Sequence, residues 1–270
     1  MRVQLQNDPL ASRFSEQLLD IGNDKIQLYE DTQYIRLPQN FCNIVPTKEE
    51  LIKSIFPDLP QNYTNHVWLS ERAILAAKDL DVDAINFKVQ HSLPGSEITF
   101  KSIDIVVDPD EVVNYSAEFL NSLDLPEMPP HNLRLKIGSP IILLRNLNAP
   151  KLCNGTRLVI KKIMGNILEA SILSGKFQGE VVLLPRIQMI PSDSPIPFKR
   201  LQFPIRLAFA MTINKSQGQT MTICGLDLEN PCFSHGQLYG GCSRVGKPSN
   251  LFVYAPEGLT ENIVHLMALQ

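Results

Sequence analysis

The chain has 270 residues, a formal net charge of −3 and 44% hydrophobic residues. That length holds one large domain or two modest ones, and that apolar content supports a packed core and excludes a chain disordered throughout. The slightly acidic balance excludes a polybasic surface, so any contact with nucleic acid is confined to a local groove.

After Asp8-Pro9, apolar residues Leu10, Phe14, Leu18, Leu19 and Ile21 recur at helical spacing, and Gly22 stops the run. This predicts an amphipathic helix. Leu37-Pro38 to Thr47 reads as a connector, and Lys48 to Phe56 as a short helix with a charged outer face. The Pro/Asn loop from Asp58 to Thr64 marks a domain boundary. Trp68 to Leu75 predicts a strand. The helix after it opens on Asp79, Asp81 and Asp83, and carboxylates suit a helix N-terminus. From Leu133 to about Ile190, short apolar strands alternate with Asn-Gly and Ser-Gly turns, the pattern of a small β-barrel. Pro191 to Pro204 is a Pro-rich linker.

Ile205 to Met211 predicts one buried strand, which turns polar at Thr212, Asn214, Lys215, Ser216, Gln217, Gly218 and Gln219. In α/β folds ligands bind at the carboxyl ends of strands. Hydroxyls, an ammonium, an amide and a bare backbone N–H there suit phosphate oxygens of a nucleotide or a nucleic-acid backbone. The run Gln237 to Val245 then leads into an apolar strand, Leu251 to Tyr254. Arg244, at the end of its predicted helix, can stabilise charge on a transferring phosphoryl group. Glu257 to Gln270 predicts a short helix with Ile263, Leu266 and Met267 on one side.

A P-loop, G-x-x-x-x-G-K-[ST], is missing from the expected place, as is an acidic pair for Mg²⁺. Gly241 to Lys247 has the P-loop spacing, but Pro248 follows, with neither hydroxyl nor N–H, and the string leads into a strand rather than a helix. The five cysteines, Cys42, Cys153, Cys224, Cys232 and Cys242, contain no C-x-x-C pair and read as reduced thiols of an intracellular protein. Cys232-x-x-His235 with Cys224 and Cys242 nearby is an irregular set, so no metal ligands are assigned. The longest aliphatic run, Ile141 to Leu144, is far too short to span a bilayer.

Thr212, Lys215, Ser216, Gln217, Gly218, Gln219 and Thr220 match a T-x-x-K-[SA]-Q-G-Q-T run, and Leu238, Tyr239, Ser243, Arg244 and Val245 match an L-Y-V-A-L-S-R-V run. In this order and separation they resemble motifs V and VI of the Pif-type (petite integration frequency) superfamily-one ATP-dependent DNA helicases. Pro231 to Gln237 resembles the version carried by Helitron transposons. Met1-Arg2-Val3 ahead of the first helix resembles motif III, Glu71 to Leu75 the family's E-R-A-I-L strand, and Phe100-x-Ser102-x-Asp104 the strand before its inserted module. Leu133-x-Leu135-Lys136-x-Gly138 and Leu152-x-Asn154-Gly155-Thr156 resemble that module, a Src-homology-like barrel called 2B.

The resemblance implies an α/β fold: a second RecA-like motor domain with an inserted 2B barrel, preceded by a remnant of the first RecA-like domain. The implied boundaries are 1–62 for the remnant, 63–127 and 199–270 for the second domain, and 128–198 for the barrel. It implies the C-terminal half of a helicase from motif III onward, unwinding 5′ to 3′, with ATP and Mg²⁺ as cofactors of the complete enzyme. Its implied partners are single-stranded DNA and an N-terminal RecA-like domain that carries the P-loop, and its implied location is intracellular, in the nucleus. Arg244 would be the catalytic arginine finger. Gln217, Gly218 and Arg72 would face the nucleotide, Arg72 having a surface salt bridge as its alternative role. Thr212, Lys215 and Ser216 would contact DNA, and Tyr239 packs in the core or stacks on bases. Gly240-Gly241-Cys242 stands where the family has Val-Ala-Leu, a change that removes core packing before Arg244. The alternative is a non-catalytic single-strand-binding protein or a decayed transposon-derived fragment.

Overall fold

The computed structural model describes residues 9–108, 110, 113–125, 127–192, 194 and 196–265. In chain order the first elements are α1 (Pro9–Gly22), β1 (Tyr34–Arg36), β2 (Asn43–Ile44), α2 (Lys48–Ile55), α3 (Leu59–Asn62), α4 (His66–Ser70), β3 (Arg72–Ala76) and α5 (Asp79–His91). Then come β4 (Ile98–Lys101), β5 (Ile103–Val106), α6 (Ala117–Ser122), β6 (Asn132–Leu135), β7 (Pro140–Leu143), β8 (Arg157–Met164), β9 (Ile167–Ile172), β10 (Val181–Pro185) and β11 (Ile187–Met189). The last are β12 (Phe198–Gln202), β13 (Ile205–Leu207), β14 (Ala210–Thr212), β15 (Ile223–Asp227), α7 (Gln237–Cys242), β16 (Leu251–Tyr254) and β17 (Leu259–Glu261). They form two compact units. The described residues of 1–62, 67–89 and 209–270 make the first, and those of 63–66 and 90–208 the second.

The first unit is built on a five-stranded parallel sheet in the order β14-β3-β15-β16-β2. All five residues of β3 are buried, as a strand covered on both faces requires. Helix α2 lies over the sheet with Leu51 and Ile55 fully buried. The side chain of Thr47 caps it by accepting the Glu50 N–H, and Glu49 and Glu50 complement its N-terminal dipole. Gly225 permits that contact, because a Cβ there would stand 2.8 Å from Ile55 and 3.1 Å from Ile74. Residues 43–56, expected in the remnant of another domain, therefore give this sheet an edge strand and a covering helix. Helix α1 ends at Gly22 as expected, and its Phe14 ring packs 5.1 Å from Phe41.

Three local expectations are corrected. The predicted strand from Ile205 to Met211 is two strands. Residues 205–207 pair antiparallel with β7, Ala208 N–H donates to Pro140 O, and Ala210–Thr212 pair parallel with β3. Trp68 lies in α4 rather than in the strand, which starts at Arg72. The C-terminal helix is absent from residues 257–265. Pro256–Gly258 make only a single 3₁₀ turn, and Leu259–Glu261 pair with β1 instead. Leu266 and Met267 lie outside the described residues, as does the Met1-Arg2-Val3 stretch.

The second unit holds a five-stranded antiparallel sheet, β10-β9-β8-β7-β13, a β4–β6 ribbon and a three-stranded sheet, β11-β12-β5. Leu133 and Leu135 of the ribbon join Ile141, Leu158, Ile160, Leu168 and Phe203 in one core. Residues 90–127 and 199–208 belong to this unit, beyond the expected barrel limits of 128 and 198. Arg200 is fully buried. It pairs with Asp104 at 2.7 Å and donates to the carbonyls of Leu120, Leu123 and Pro129. Gly138, at φ +85°, makes a seat for Tyr63, whose ring would lie 2.3 Å from a Cβ at that position.

Candidate nucleotide and nucleic-acid site

Thr212 is the last residue of β14, buried and in register with Ala76 at the carboxyl end of β3. Ile213 N–H donates to Ala76 O at 3.0 Å, and one 3₁₀ turn follows over Asn214–Ser216. Ser216 is fully buried, with Oγ donating to Ile213 O at 2.6 Å. Gln217 N–H donates to Asn214 O and Gln219 N–H to Ser216 O. Gly218 stands at φ +83° with open space around it, so its conformation, not crowding, requires glycine. Asn214, Gln217, Gly218 and Thr220 are exposed. Lys215 is half-buried, with Nζ 3.7 Å from Oδ1 of Asp79 in the first turn of α5.

Helix α7 follows Gly236, which has φ +66°. Its two glycines pack rather than leave a gap, contrary to the sequence expectation. A Cβ on Gly241 would lie 3.0 Å from Leu226 and 3.5 Å from Ile213, and one on Gly240 3.7 Å from Ile213. Gly241 thus lets α7 approach β15 and the residue that opens the 3₁₀ turn. The Tyr239 ring lies against Gly22, 3.1 Å from a Cβ there, which places it in the packing between α1 and α7.

Arg244 joins the two motif stretches. Its Nε donates to Gly240 O at 2.7 Å, Nη1 to Ser216 O at 3.0 Å and Gln219 O at 3.4 Å, and Nη2 to Ser243 Oγ at 2.9 Å. Its own carbonyl accepts the Met221 N–H. The guanidinium is therefore held against the turn that carries Gln217 and Gly218, and is half-buried rather than sealed. The structure brings Thr212, Lys215, Ser216, Gln217, Gly218 and Arg244 into one neighbourhood.

Arg72 lies elsewhere. It opens β3 at the amino end of the sheet, whereas Thr212 ends β14 at the carboxyl end. It is 6% exposed, stacks 4.0 Å from the Trp68 ring centroid, and donates to Trp68 O and Ile55 O. Burial pulls its pKa down. Neither the nucleotide role nor the surface salt bridge fits this position. The side chain stacks on an aromatic ring and donates to backbone carbonyls within the fold.

A charged cluster that sequence reading passed over sits at the carboxyl end of β15. Lys48 Nζ lies 3.1 Å from Asp227 Oδ2, 3.5 Å from Asp81 Oδ1 and 2.5 Å from Glu229 Oε2. Asn230 Nδ2 donates to both Asp81 oxygens, and Lys78 Nζ donates to Asn230 Oδ1. Burial opposes the Lys48 charge, but the hydrogen bonds and fields of Glu229, Asp227 and Asp81 carry its pKa above the usual lysine value. Burial pushes Asp227 up, against the pull of the Glu229 N–H and Lys48. The sequence signal was available: an Asp ending an apolar run and an Asp-rich helix start. A cavity of about 300 Å³ nearby is lined by Tyr34, Leu228, Pro231 and Leu259 with Glu229 and Glu257, a lining that repels phosphate. All five cysteines are free thiols, with burial pushing Cys42 and Cys232 up to about 12. Among the described residues no helix is long and apolar enough to cross a membrane.

Residues 118–163 match the family model described as DNA helicase Pif1, 2B domain. The ATP-dependent DNA helicase PIF6 of Trypanosoma brucei brucei is 30% identical over 179 residues, covering 56% of this chain and 22% of that protein. Human ATP-dependent DNA helicase PIF1 is 29% identical over 169 residues, covering 61% and 24%. The Pif1 helicase of Candida albicans superposes on the whole chain with a TM-score of 0.67 at 19% identity, over 58% of its own length. A Bacteroides Pif1 in complex with ADP-AlF3 and ssDNA does so with a TM-score of 0.61 at 18% identity, over 53% of its length. The chain spans about a quarter of these curated relatives and somewhat over half of these solved chains. Sequence likeness, the 2B segment and the mixed α/β fold agree in likening this chain to a part of Pif1-type helicases.

Proposed function

We propose that this chain supplies the second half of the nucleotide site, and part of the single-strand path, of a Pif1-type ATP-dependent DNA helicase. In this reading the parallel-sheet unit is the second RecA-like domain and the antiparallel unit carries the inserted 2B barrel. The observation that supports it most is Arg244 held by Ser216 O and Gln219 O. An arginine finger must report the nucleotide to the DNA-contacting turn, and these two bonds link them directly. On ATP binding the guanidinium exchanges the carbonyls for γ-phosphate oxygens, a stronger, charge-assisted partner. That exchange frees the turn from Ser216 to Gln219 to shift, which couples hydrolysis to a step along DNA.

Roles follow from exposure. Gln217 and Gly218, on the exposed side of the turn, face nucleotide. Lys215 offers its ammonium to a DNA phosphate and leaves Asp79 to do so. Thr212 and Ser216 are buried and act by fixing the turn, not by direct contact. ATP and Mg²⁺ are held mainly by a P-loop domain, because the sequence holds no G-x-x-x-x-G-K-[ST] string. Relatives named ATP-dependent DNA helicases and a solved relative with ADP-AlF3 and ssDNA support this reading. Unwinding from 5′ to 3′ is part of the same proposal.

The test is ATPase activity with and without single-stranded DNA, on this chain and on its fusion to a family P-loop domain. The chain alone is expected to be inactive, and the fusion to hydrolyse ATP and lose about 10³-fold or more in kcat with Arg244→Ala. DNA-stimulated hydrolysis by the chain alone overturns the split-site reading. A fusion indifferent to Arg244→Ala removes Arg244 from the chemistry.

A further inference from the structure

The two ends of β15 carry different chemistry. The Arg244 carbonyl accepts the Met221 N–H just ahead of the strand, whereas the cavity of about 300 Å³ is lined by residues that follow its carboxyl end, among them Glu229 and Pro231. Tyr34, Pro231 and Pro256 give this cavity flat apolar rings, Leu259 adds an aliphatic group, and Glu229 and Glu257 supply carboxylates. Among the described residues no cation lines it. Glu257 is exposed and in no ion pair among those residues, and Glu229 meets Lys48 through Oε2, which leaves Oε1 for another donor. Lys48 is itself shared with Asp227 and Asp81. Of the cations on adjoining segments, Lys78 donates to Asn230 Oδ1, and the Arg36 guanidinium stands 5.0 Å from the Tyr29 ring centroid.

We propose that this cavity receives an arginine side chain of a partner protein. Charge complementarity selects a cation, because two carboxylates with no lining cation repel phosphates and acidic groups. The volume lies at the low end for ligand pockets and suits one side chain rather than a cofactor. The flat lining selects guanidinium over ammonium. Guanidinium is planar, weakly hydrated and stacks on aromatic faces, whereas ammonium is a compact charge that holds its water. A guanidinium stacked on Tyr34 reaches Glu257 with its fork of N–H donors, and a carboxylate accepts such a fork through both oxygens. A metal ion fits less well, since among the described residues no group of three His, Cys, Asp or Glu side chains is arranged to hold one. A lone guanidinium compound makes these contacts but no others. An arginine carried on a chain adds those of its neighbours, and binding weakly held at one point depends on such added contacts.

The test is an NMR titration of the isotope-labelled full chain, followed at the amides of Glu257 and Gly258. The probes are capped Ala-Arg-Ala, its lysine and citrulline counterparts, and methylguanidinium. The arginine peptide is expected to bind with a dissociation constant on the order of 1 mM, the lysine peptide at least about fivefold more weakly, and the neutral citrulline peptide not at all. Methylguanidinium is expected to bind more weakly than the arginine peptide. Glu257 stands at φ +57°, so Glu257→Gly removes the carboxylate at a backbone conformation that glycine adopts freely. It is expected to weaken the arginine peptide at least about fivefold with no loss of thermal stability, which separates a lost contact from a damaged fold. Tyr34→Leu is expected to abolish the preference for arginine over lysine. No saturable shift up to about 20 mM peptide overturns the proposal. So do citrulline binding equal to arginine, or affinity that Glu257→Gly leaves intact. Methylguanidinium binding as tightly as the peptide overturns the assignment to a partner protein, and a preference for arginine that survives Tyr34→Leu overturns the stacking on which it rests.

Discussion

Replacing Lys48 by Met removes the cation that neutralises the end of β15. The Asp227 side chain is fully buried, and its Oδ2 has the Lys48 ammonium at 3.1 Å with no hydrogen bond among the described residues. Its other oxygen accepts the Glu229 N–H at 3.0 Å. Removing one partner of a buried pair leaves an uncompensated charge and costs about 3 kcal/mol or somewhat more. Trp68, the one tryptophan of the chain, belongs to the same unit, so urea unfolding followed by its fluorescence reads this loss. The pH dependence gives a second readout. Burial already holds the Asp227 pKa above its ordinary value, and loss of Lys48 raises it further. In the window between the unfolded carboxylate value of about 3.9 and that raised value, the folded state binds more protons than the unfolded one. Stability then falls as pH rises through the window, so the Lys48→Met deficit is expected to shrink from pH 7 to pH 5. Adding Asp227→Asn to Lys48→Met is expected to recover most of the loss at pH 7. A deficit under about 1 kcal/mol that does not change with pH would mean that water, not Lys48, solvates Asp227, and the reasoning fails.

Arg200→Met is expected to cost about 3 to 5 kcal/mol, because it strands buried Asp104, and thermal circular dichroism should show a partial rescue by Asp104→Asn. Gly241→Ala, which brings a Cβ to 3.0 Å from Leu226, should destabilise by about 1 kcal/mol, whereas Gly240→Ala, at an ordinary 3.7 Å, should gain about 0.5 kcal/mol from helix propensity. Equal effects in the two variants would show that α7 does not rest on β15 as described. Gly138→Ala meets both a left-handed φ of +85° and the Tyr63 ring, and a cost above about 2 kcal/mol is expected, with Tyr63→Ala in the same chain relieving only the steric part.

The parts of the site legible in the sequence were those fixed locally. A polar turn directly after a buried strand places Lys215 to Gly218 at a strand end whatever the rest of the chain does, and Gly22 stops α1 by propensity alone. Features set by distant partners were not legible. The break between residues 208 and 209 leaves no mark in an unbroken apolar run, because it depends on β7 taking one half and β3 the other. Residues Leu259–Glu261 are too short to show a period, and pairing with β1 decides their state. The family resemblance of the strand from Glu71 to Leu75 implied a nucleotide role for Arg72, but its guanidinium stacks on Trp68 and donates to carbonyls that no sequence pattern places beside it. The two glycines of α7 looked like lost packing because the identity of the facing residues, Leu226 and Ile213, was unknown.

The interrupted path of the parallel sheet bears on how the protein is made. Strand β3 is buried along its whole length, yet its neighbours β14 and β15 follow it by well over a hundred residues. During synthesis the antiparallel unit, nearly continuous from residue 90 to 208, emerges complete while β3 still has no partner on either side. An apolar strand with two open edges is a hazard for that interval. The order of emergence makes the ribosome-bound chain a candidate for chaperone holding until residue 254 appears. It also makes the slow phase of refolding a property of the parallel sheet, since its non-local pairings are the last to close.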